Sequence, residues 1–137
     1  MSSSNGGATW TSPALVDAGA GDQWFPWVEV NPATGKIGIV YNDRGSSNGT
    51  FYNAAVAEGL PGSLVKTTVS TAPSDPVHSE SFQAEVAGCE LCATFHGDYI
   101  NLSYGSDGHA NTVWTDMSAE SEETPGEFAQ FIYYARK

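Results

Sequence analysis

Four aspartates stand at matching places in a pattern that occurs twice. Asp22 opens the first run, in Gly21-Asp22-Gln23-Trp24, and Asp43 closes it, in Val40-Tyr41-Asn42-Asp43. Asp98 opens the second run, in Gly97-Asp98-Tyr99-Ile100, and Asp116 closes it, in Val113-Trp114-Thr115-Asp116. The two runs lie about 75 residues apart, which marks a repeated structural unit. Carboxylates at strand ends can gather on one rim and hold Ca²⁺, which takes several oxygens from loops. The metal candidates are therefore Asp22, Asp43, Asp98 and Asp116. The same groups can line a polar ligand site, or cap tight turns by accepting backbone N–H groups. Asp22, Asp43, Arg44, Asp98, Tyr99 and Asp116 form the candidate ligand-binding set. Arg44, Asp98 and Tyr99 are its candidates for catalysis.

Other residue types offer chemistry too. Cys89 and Cys92 are spaced as half a zinc site, with His96, His78 and His109 as further nitrogen donors. The second half of such a site is not readable, and a short-loop disulfide between Cys89 and Cys92 suits an exported chain. Trp24, Phe25, Trp27, Tyr133 and Tyr134 could stack on sugar rings or fill a core between sheets. No Gly-rich loop follows a strand and opens a helix, so nucleotide binding has no support.

The elements that must position these groups read as strands. Trp24–Val30 is a dense aromatic strand, and Asn31-Pro-Ala-Thr-Gly35 is a strong turn signal. Residues 37–41 are continuously apolar enough to be buried on both faces. Strands follow over 50–57 and 65–70, then over 94–104, 110–116 and 128–135. An irregular stretch of about 17 residues runs from Ala72 to Gly88. A loop of that length has a job or covers something. No segment shows a 3.6-residue period, so the fold class is all-β.

The chain has 137 residues with net charge −11, from 5 basic and 16 acidic side chains. Nucleic-acid binding is excluded, because it depends on clustered Lys and Arg. The same balance argues against anionic membrane surfaces. No run approaches the ~18 apolar residues of a membrane span. The first residues have no basic or apolar leader pattern. An extracellular or cell-surface setting is still the expectation.

Residues 3–10, Ser-Ser-Asn-Gly-Gly-Ala-Thr-Trp, resemble the Asp-box, S-x-D-x-G-x-T-W, of sialidase-type propellers. Ser3, Gly7, Thr9 and Trp10 match, and Asn5 stands where Asp is usual. Asn can make the same turn without the charge. The first run also resembles a blade of the sialidase-like BNR/Asp-box family through Asp22, Gln23, Pro26, Trp27, Val30, Pro32, Thr34, Gly35, Asp43 and Arg44. The second resembles the next blade through Phe95, Gly97, Asp98, Tyr99, Ile100, Val113, Trp114, Thr115 and Asp116. The resemblance implies a segment of about two four-stranded antiparallel blades, part of a six-bladed β-propeller. Residues 1–18 would be the Asp-box hairpin and an outer strand of a neighbouring blade, with that strand over 9–16. Residues 19–75 would form a complete blade, and 76–137 a final blade lacking its outer strand. Propellers need 4–8 blades. Other blades of a parent chain, or identical copies such as a homotrimer, would be the partners.

The resemblance implies a glycan-associated module. Sialidases of this family use three arginines, a tyrosine nucleophile paired with a glutamate, and an aspartate acid/base. This chain has two arginines, Arg44 and Arg136. It lacks the family's Phe/Tyr-Arg-Ile-Pro motif. The expectation is a module that is not catalytic by itself. The alternatives are a glycoside hydrolase site completed by other blades or copies, and a self-assembling lectin-like or structural ring.

Overall fold

A computed structural model gives the fold and describes residues 1–45, 49–80 and 96–137. The described chain is all-β, with two antiparallel sheets. Sheet 1 is a meander of β1 (Gln23–Val30), β2 (Ile37–Asp43), β3 (Asn53–Gly59) and β4 (Val65–Thr68). Sheet 2 is a second meander, of β5 (Asn101–Tyr104), β6 (Ala110–Asp116) and β7 (Phe131–Arg136). No helix among the described residues is long and apolar enough to cross a membrane.

Local chemistry explains the turns. Asn31 ends β1 and accepts the Ala33 and Thr34 N–H groups on its side-chain oxygen, at 3.0 and 3.2 Å. Its carbonyl accepts the Gly35 N–H at 2.8 Å, and Gly35 takes φ of 70°. That positive φ is what glycine supplies without a Cβ clash. The returning strand is then fixed in register, with Val30 opposite Ile37 and Val28 opposite Ile39. β1 carries an irregularity between Trp24 and Trp27, where Phe25 sits at φ 53°.

β2 and β3 are the inner strands of sheet 1 and are covered on both faces. Ala54, Ala55 and Ala57 are fully buried. Their small side chains let neighbouring layers approach both sides of β3. On the inner face, Val40, Ala54 and Val56 pack against Ile100, Leu102, Ala110 and Trp114 of sheet 2. Gly38 leaves space for Tyr104, since a Cβ there would lie 2.5 Å from the tyrosine oxygen. Tyr104 reaches past it to donate to Glu58 at 3.0 Å. On the outer face, Tyr41, Ala55 and Ala57 form a smaller cluster with Ile39 and Leu64.

The stretch after β4 does more than connect. Tyr52 and Ser74 exchange two backbone hydrogen bonds, at 3.2 and 2.8 Å. The Ser74 hydroxyl accepts the Met117 N–H at 3.0 Å, and the Asp75 N–H donates to the Met117 carbonyl. Ser79 then forms a parallel bridge to Phe128. One irregular segment thus sews the start of β3 to the end of β6.

Four strand expectations differ from this fold; the strand expected over 50–57 runs Asn53–Gly59, with Tyr52 before it in a separate bridge to Ser74. Residues 9–16 join neither sheet, although Trp10 and the Ala14-Leu15-Val16 run offer apolar side chains. A strand needs a partner ladder, and among the described residues none of the outer strands β1, β4, β5 and β7 pairs with them. Within the segment expected over 94–104, the described strand is only Asn101–Tyr104. The last strand begins at Phe131, because Phe128 is already bridged to Ser79 and Glu120. Cys89, Cys92 and Phe95 lie outside the described residues, as do residues 81–88 of the long loop.

Replacing Ser74 by Ala would strand the buried Met117 N–H without an acceptor. The expected cost is about 1–3 kcal/mol in urea unfolding. A change below about 0.5 kcal/mol would show that the seam carries little.

Candidate functional site

The carboxyl end of β2 brings several polar groups together. Asp43 is buried, and its Oδ1 accepts the Gly45 N–H at 3.0 Å and the Gln23 amide at 3.1 Å. Its Oδ2 pairs with the Lys66 ammonium at 2.5 Å. Lys66 comes from β4, one strand beyond β3, and its register opposite Ala57 points it to the outer face. The same ammonium pairs with Asp17 at 2.6 Å. Asp17 belongs to the segment before β1 and also accepts the Tyr41 hydroxyl at 3.0 Å. One lysine therefore ties the N-terminal segment, β2 and β4 into one network.

These contacts set the charge states. The Lys66 hydrogen bond holds the Asp17 carboxyl below its ordinary range against a smaller opposing effect of burial. Burial opposes ionisation of Asp43, but its bonds from Lys66, Gln23 and Gly45 lower it on balance. Burial opposes charging Lys66, and the two aspartates outweigh that and raise it. Burial, then the bond to Asp17, pushes the Tyr41 phenol well above its usual range.

Arg44 follows Asp43 and pairs with the exposed Asp22 at 2.9 Å. Its guanidinium lies 5.7 Å from the centre of the Trp24 ring, within cation–π range. Trp24, Tyr52 and His96 meet edge to face, and Phe25 stacks on His96 at 5.7 Å. Both His96 ring nitrogens are buried and make no hydrogen bond. Burial lowers the His96 pKa, with Asp98 opposing.

Two hollows open on the outer face of sheet 1. The wider, about 570 Å³, is bordered by Asp43, Arg44, Phe51, Asn53, Lys66 and Thr68. The narrower, about 210 Å³, lies beneath the N-terminal segment between Val16, Asp17, Pro26, Ile39 and Tyr41.

Asp22, Asp43 and Arg44 therefore converge, as neighbours of one hollow or of each other. Asp116 sits elsewhere, at the end of β6. Its Oδ2 accepts the Trp114 indole N–H at 2.8 Å, and its Oδ1 accepts the Ser118 N–H and hydroxyl. Asp98 and Tyr99 are exposed, Tyr99 by 89%. No group of three His, Cys, Asp or Glu side chains among the described residues could hold a metal ion. Between Asp17 and Asp43, the Lys66 ammonium takes the position of a counterion.

The Asp-box-like residues form a local turn. Asn5 Oδ1 accepts the Thr9 N–H at 3.0 Å, and its amide donates to the Thr9 hydroxyl at 2.8 Å. The Ser3 hydroxyl accepts the Gly7 N–H at 2.9 Å, and Gly6 and Gly7 take positive φ. Trp10 lies against Gly7 and is otherwise largely exposed.

Sequence reasoning missed Asp17, Lys66, Tyr41, Phe51 and Asn53. The one available signal was Lys66 itself. It is one of only five basic residues, and it alternates with apolar positions in a strand. No family model, curated protein or solved structure matches this chain.

Lys66→Met would leave two carboxylates facing each other. Lys66 is partly exposed, so the expected loss lies between surface and buried pairs, about 1–2 kcal/mol at neutral pH. Asp17 and Asp43 are lowered on folding, so their contribution is complete above about pH 4 and fades as pH falls through their folded values. Lys66 is raised, so its share is complete below about pH 10 and fades above it. The wild-type advantage over Lys66→Met is therefore constant from about pH 5 to 9 and shrinks in acid. Denaturant unfolding of both proteins from pH 2 to 9 measures it; an advantage undiminished at pH 2 would refute the network.

Proposed function

We propose that this chain is a glycan-associated module of a sialidase-like β-propeller, not catalytic by itself and completed by other blades or identical copies. The observation that carries the reading is the wider hollow. It sets one half-exposed aromatic wall, Phe51, beside the side chains of Arg44, Lys66, Asn53, Asp43 and Thr68. A sugar presents an apolar ring face and a rim of hydroxyls, and such a mixed surface suits both. In a chain of net charge −11, two of the five basic side chains border this one hollow. An acidic sugar meets less repulsion here than over the rest of the surface.

Two further features support the non-catalytic part. Arg44 is engaged with Asp22 and Trp24, and Asp43 with Lys66 and Gln23. The open architecture supports partners. Sheet 2 has three strands, and β7 exposes Ile132 by 73% and Tyr134 by 59% on its outer edge and face. Among the described residues β7 pairs on one side only, and an edge of this kind favours pairing with another strand.

Binding to a panel of neutral and sialylated oligosaccharides tests the reading, read by calorimetry beside the solution mass. The expected result is binding that Arg44→Ala and Phe51→Ala each weaken by about tenfold or more, some 1.4 kcal/mol. Turnover of a fluorogenic sialoside would overturn the non-catalytic reading. A lack of binding to any oligosaccharide, in monomer or assembly, would overturn the glycan reading.

A further inference from the structure

The narrower hollow has a different chemistry from the wider one. Val16, Trp24, Pro26 and Ile39 form its largely apolar walls, and Asp17, Gln23 and Tyr41 supply most of its polar atoms. Tyr41 already donates to Asp17, and the Gln23 amide already donates to Asp43. What these groups have left is mainly acceptor capacity: the Gln23 oxygen, the Tyr41 oxygen lone pairs and the Asp17 carboxylate. Asp17 and Asp43 also outnumber the single Lys66 beside them. The hollow is thus apolar in its body, accepting at its polar end and unfavourable to an anion.

We propose that this hollow is a binding site for a one-ring apolar compound with a neutral or cationic head that donates hydrogen bonds. Size decides the ring count. A dry apolar cavity of about 150 Å³ holds benzene, and this one measures about 210 Å³. One ring and a short polar head fill it; an oligosaccharide does not fit. A sugar would also leave most of its hydroxyls against Val16, Pro26 and Ile39, where they lose water without gaining partners. The site is therefore distinct from the wider hollow in ligand class, although the Asp17–Lys66–Asp43 bridge touches both. It does not rest on the glycan reading.

The position of Val16 and Asp17 makes the site adjustable. Val16 is a wall of the hollow, and Asp17 next to it is held by Lys66 and Tyr41. The N-terminal segment is thereby fixed over sheet 1 by polar contacts at one point. A ligand that fills the space adds apolar contact to the same segment, so binding and closure of the segment reinforce each other.

The test uses three probes of matched size on the whole chain: benzyl alcohol, benzylamine and benzoate. Saturation-transfer NMR and calorimetry read the binding. The first two are expected to bind with Kd of about 1–10 mM, as eight heavy atoms allow. Benzoate is expected to bind at least tenfold more weakly. Val16→Trp, at a partly exposed position, puts an indole into the hollow and should abolish binding without lowering the melting temperature. Ile39→Phe fills the same space from the sheet side and should act alike. The proposal falls if neither benzyl alcohol nor benzylamine binds by about 20 mM, a free energy below what eight heavy atoms in such a hollow supply. It also falls if benzoate binds equally well, or if both variants leave binding unchanged. If the probes do not bind but Val16→Trp dissolves a self-associated form, the hollow belongs to an interface between copies and the proposal is wrong.

Discussion

Ser74 holds the two sheets together through three hydrogen bonds that water cannot replace. Its N–H and carbonyl are exchanged with Tyr52, and its hydroxyl accepts from Met117. Ser74, Tyr52 and Met117 are all within 1% of complete burial. In that setting a lost bond costs the full desolvation of the group left behind, because the low dielectric magnifies every unmade contact. The Tyr52 hydroxyl extends the seam to the Thr115 carbonyl at 3.3 Å. Apolar packing of Val40, Ala54 and Val56 against Leu102 and Trp114 supplies the larger share of sheet-to-sheet cohesion. It is not directional, and the seam is what fixes one sheet's position against the other.

That position matters for the candidate site. Tyr52 is both a seam residue and one wall of the aromatic group around His96. Trp24 in the same group carries the Arg44 guanidinium. The orientation of Arg44 at the wider hollow is therefore set partly by the fit between sheets, some distance from any ligand. Elsewhere on the border of the same hollow the control is electrostatic. Lys66 has no direct route to the seam, and its place depends on the register of β4 against β3. A slip of one residue would turn it to the inner face.

Much of this fold was legible in the sequence because strands advertise themselves by what they bury. The continuous apolar run at 37–41 became the central β2, and the Asn31–Gly35 turn chemistry set the hairpin before it. Residues 9–16 show where that logic stops. An extended pattern with Leu15 and Trp10 describes what a segment could pair with, not whether a partner edge lies beside it. The aspartate frame was legible in a similar, partial way. Asp43 and Asp116 both accept the N–H two residues onward, from Gly45 and Ser118. Their match in sequence is a match in turn chemistry. Asp22 and Asp98 share the frame, but both remain exposed, and only Asp22 is shown with an ionic partner. The Asp17–Lys66 pair was invisible, since 49 positions separate its members and only the tertiary fold brings the segment before β1 to β4.

The lone ammonium between Asp17 and Asp43 explains how so acidic a chain can fold its N-terminal segment back onto a sheet. Two carboxylates brought this close repel each other, and burial of Asp43 makes ionisation harder still. A neutral partner would satisfy their hydrogen bonds and leave the charge. Lys66 supplies charge and donors together, on a stem whose methylenes lie along the outer face beside Ala57. The consequence is spatial as well as energetic. With the segment tied there, Val16 becomes a wall of one hollow while Asp43 and Lys66 become the rim of another. A single charged residue thus separates an apolar space from a polar one on the same face, and each acquires the chemistry to select a different class of ligand.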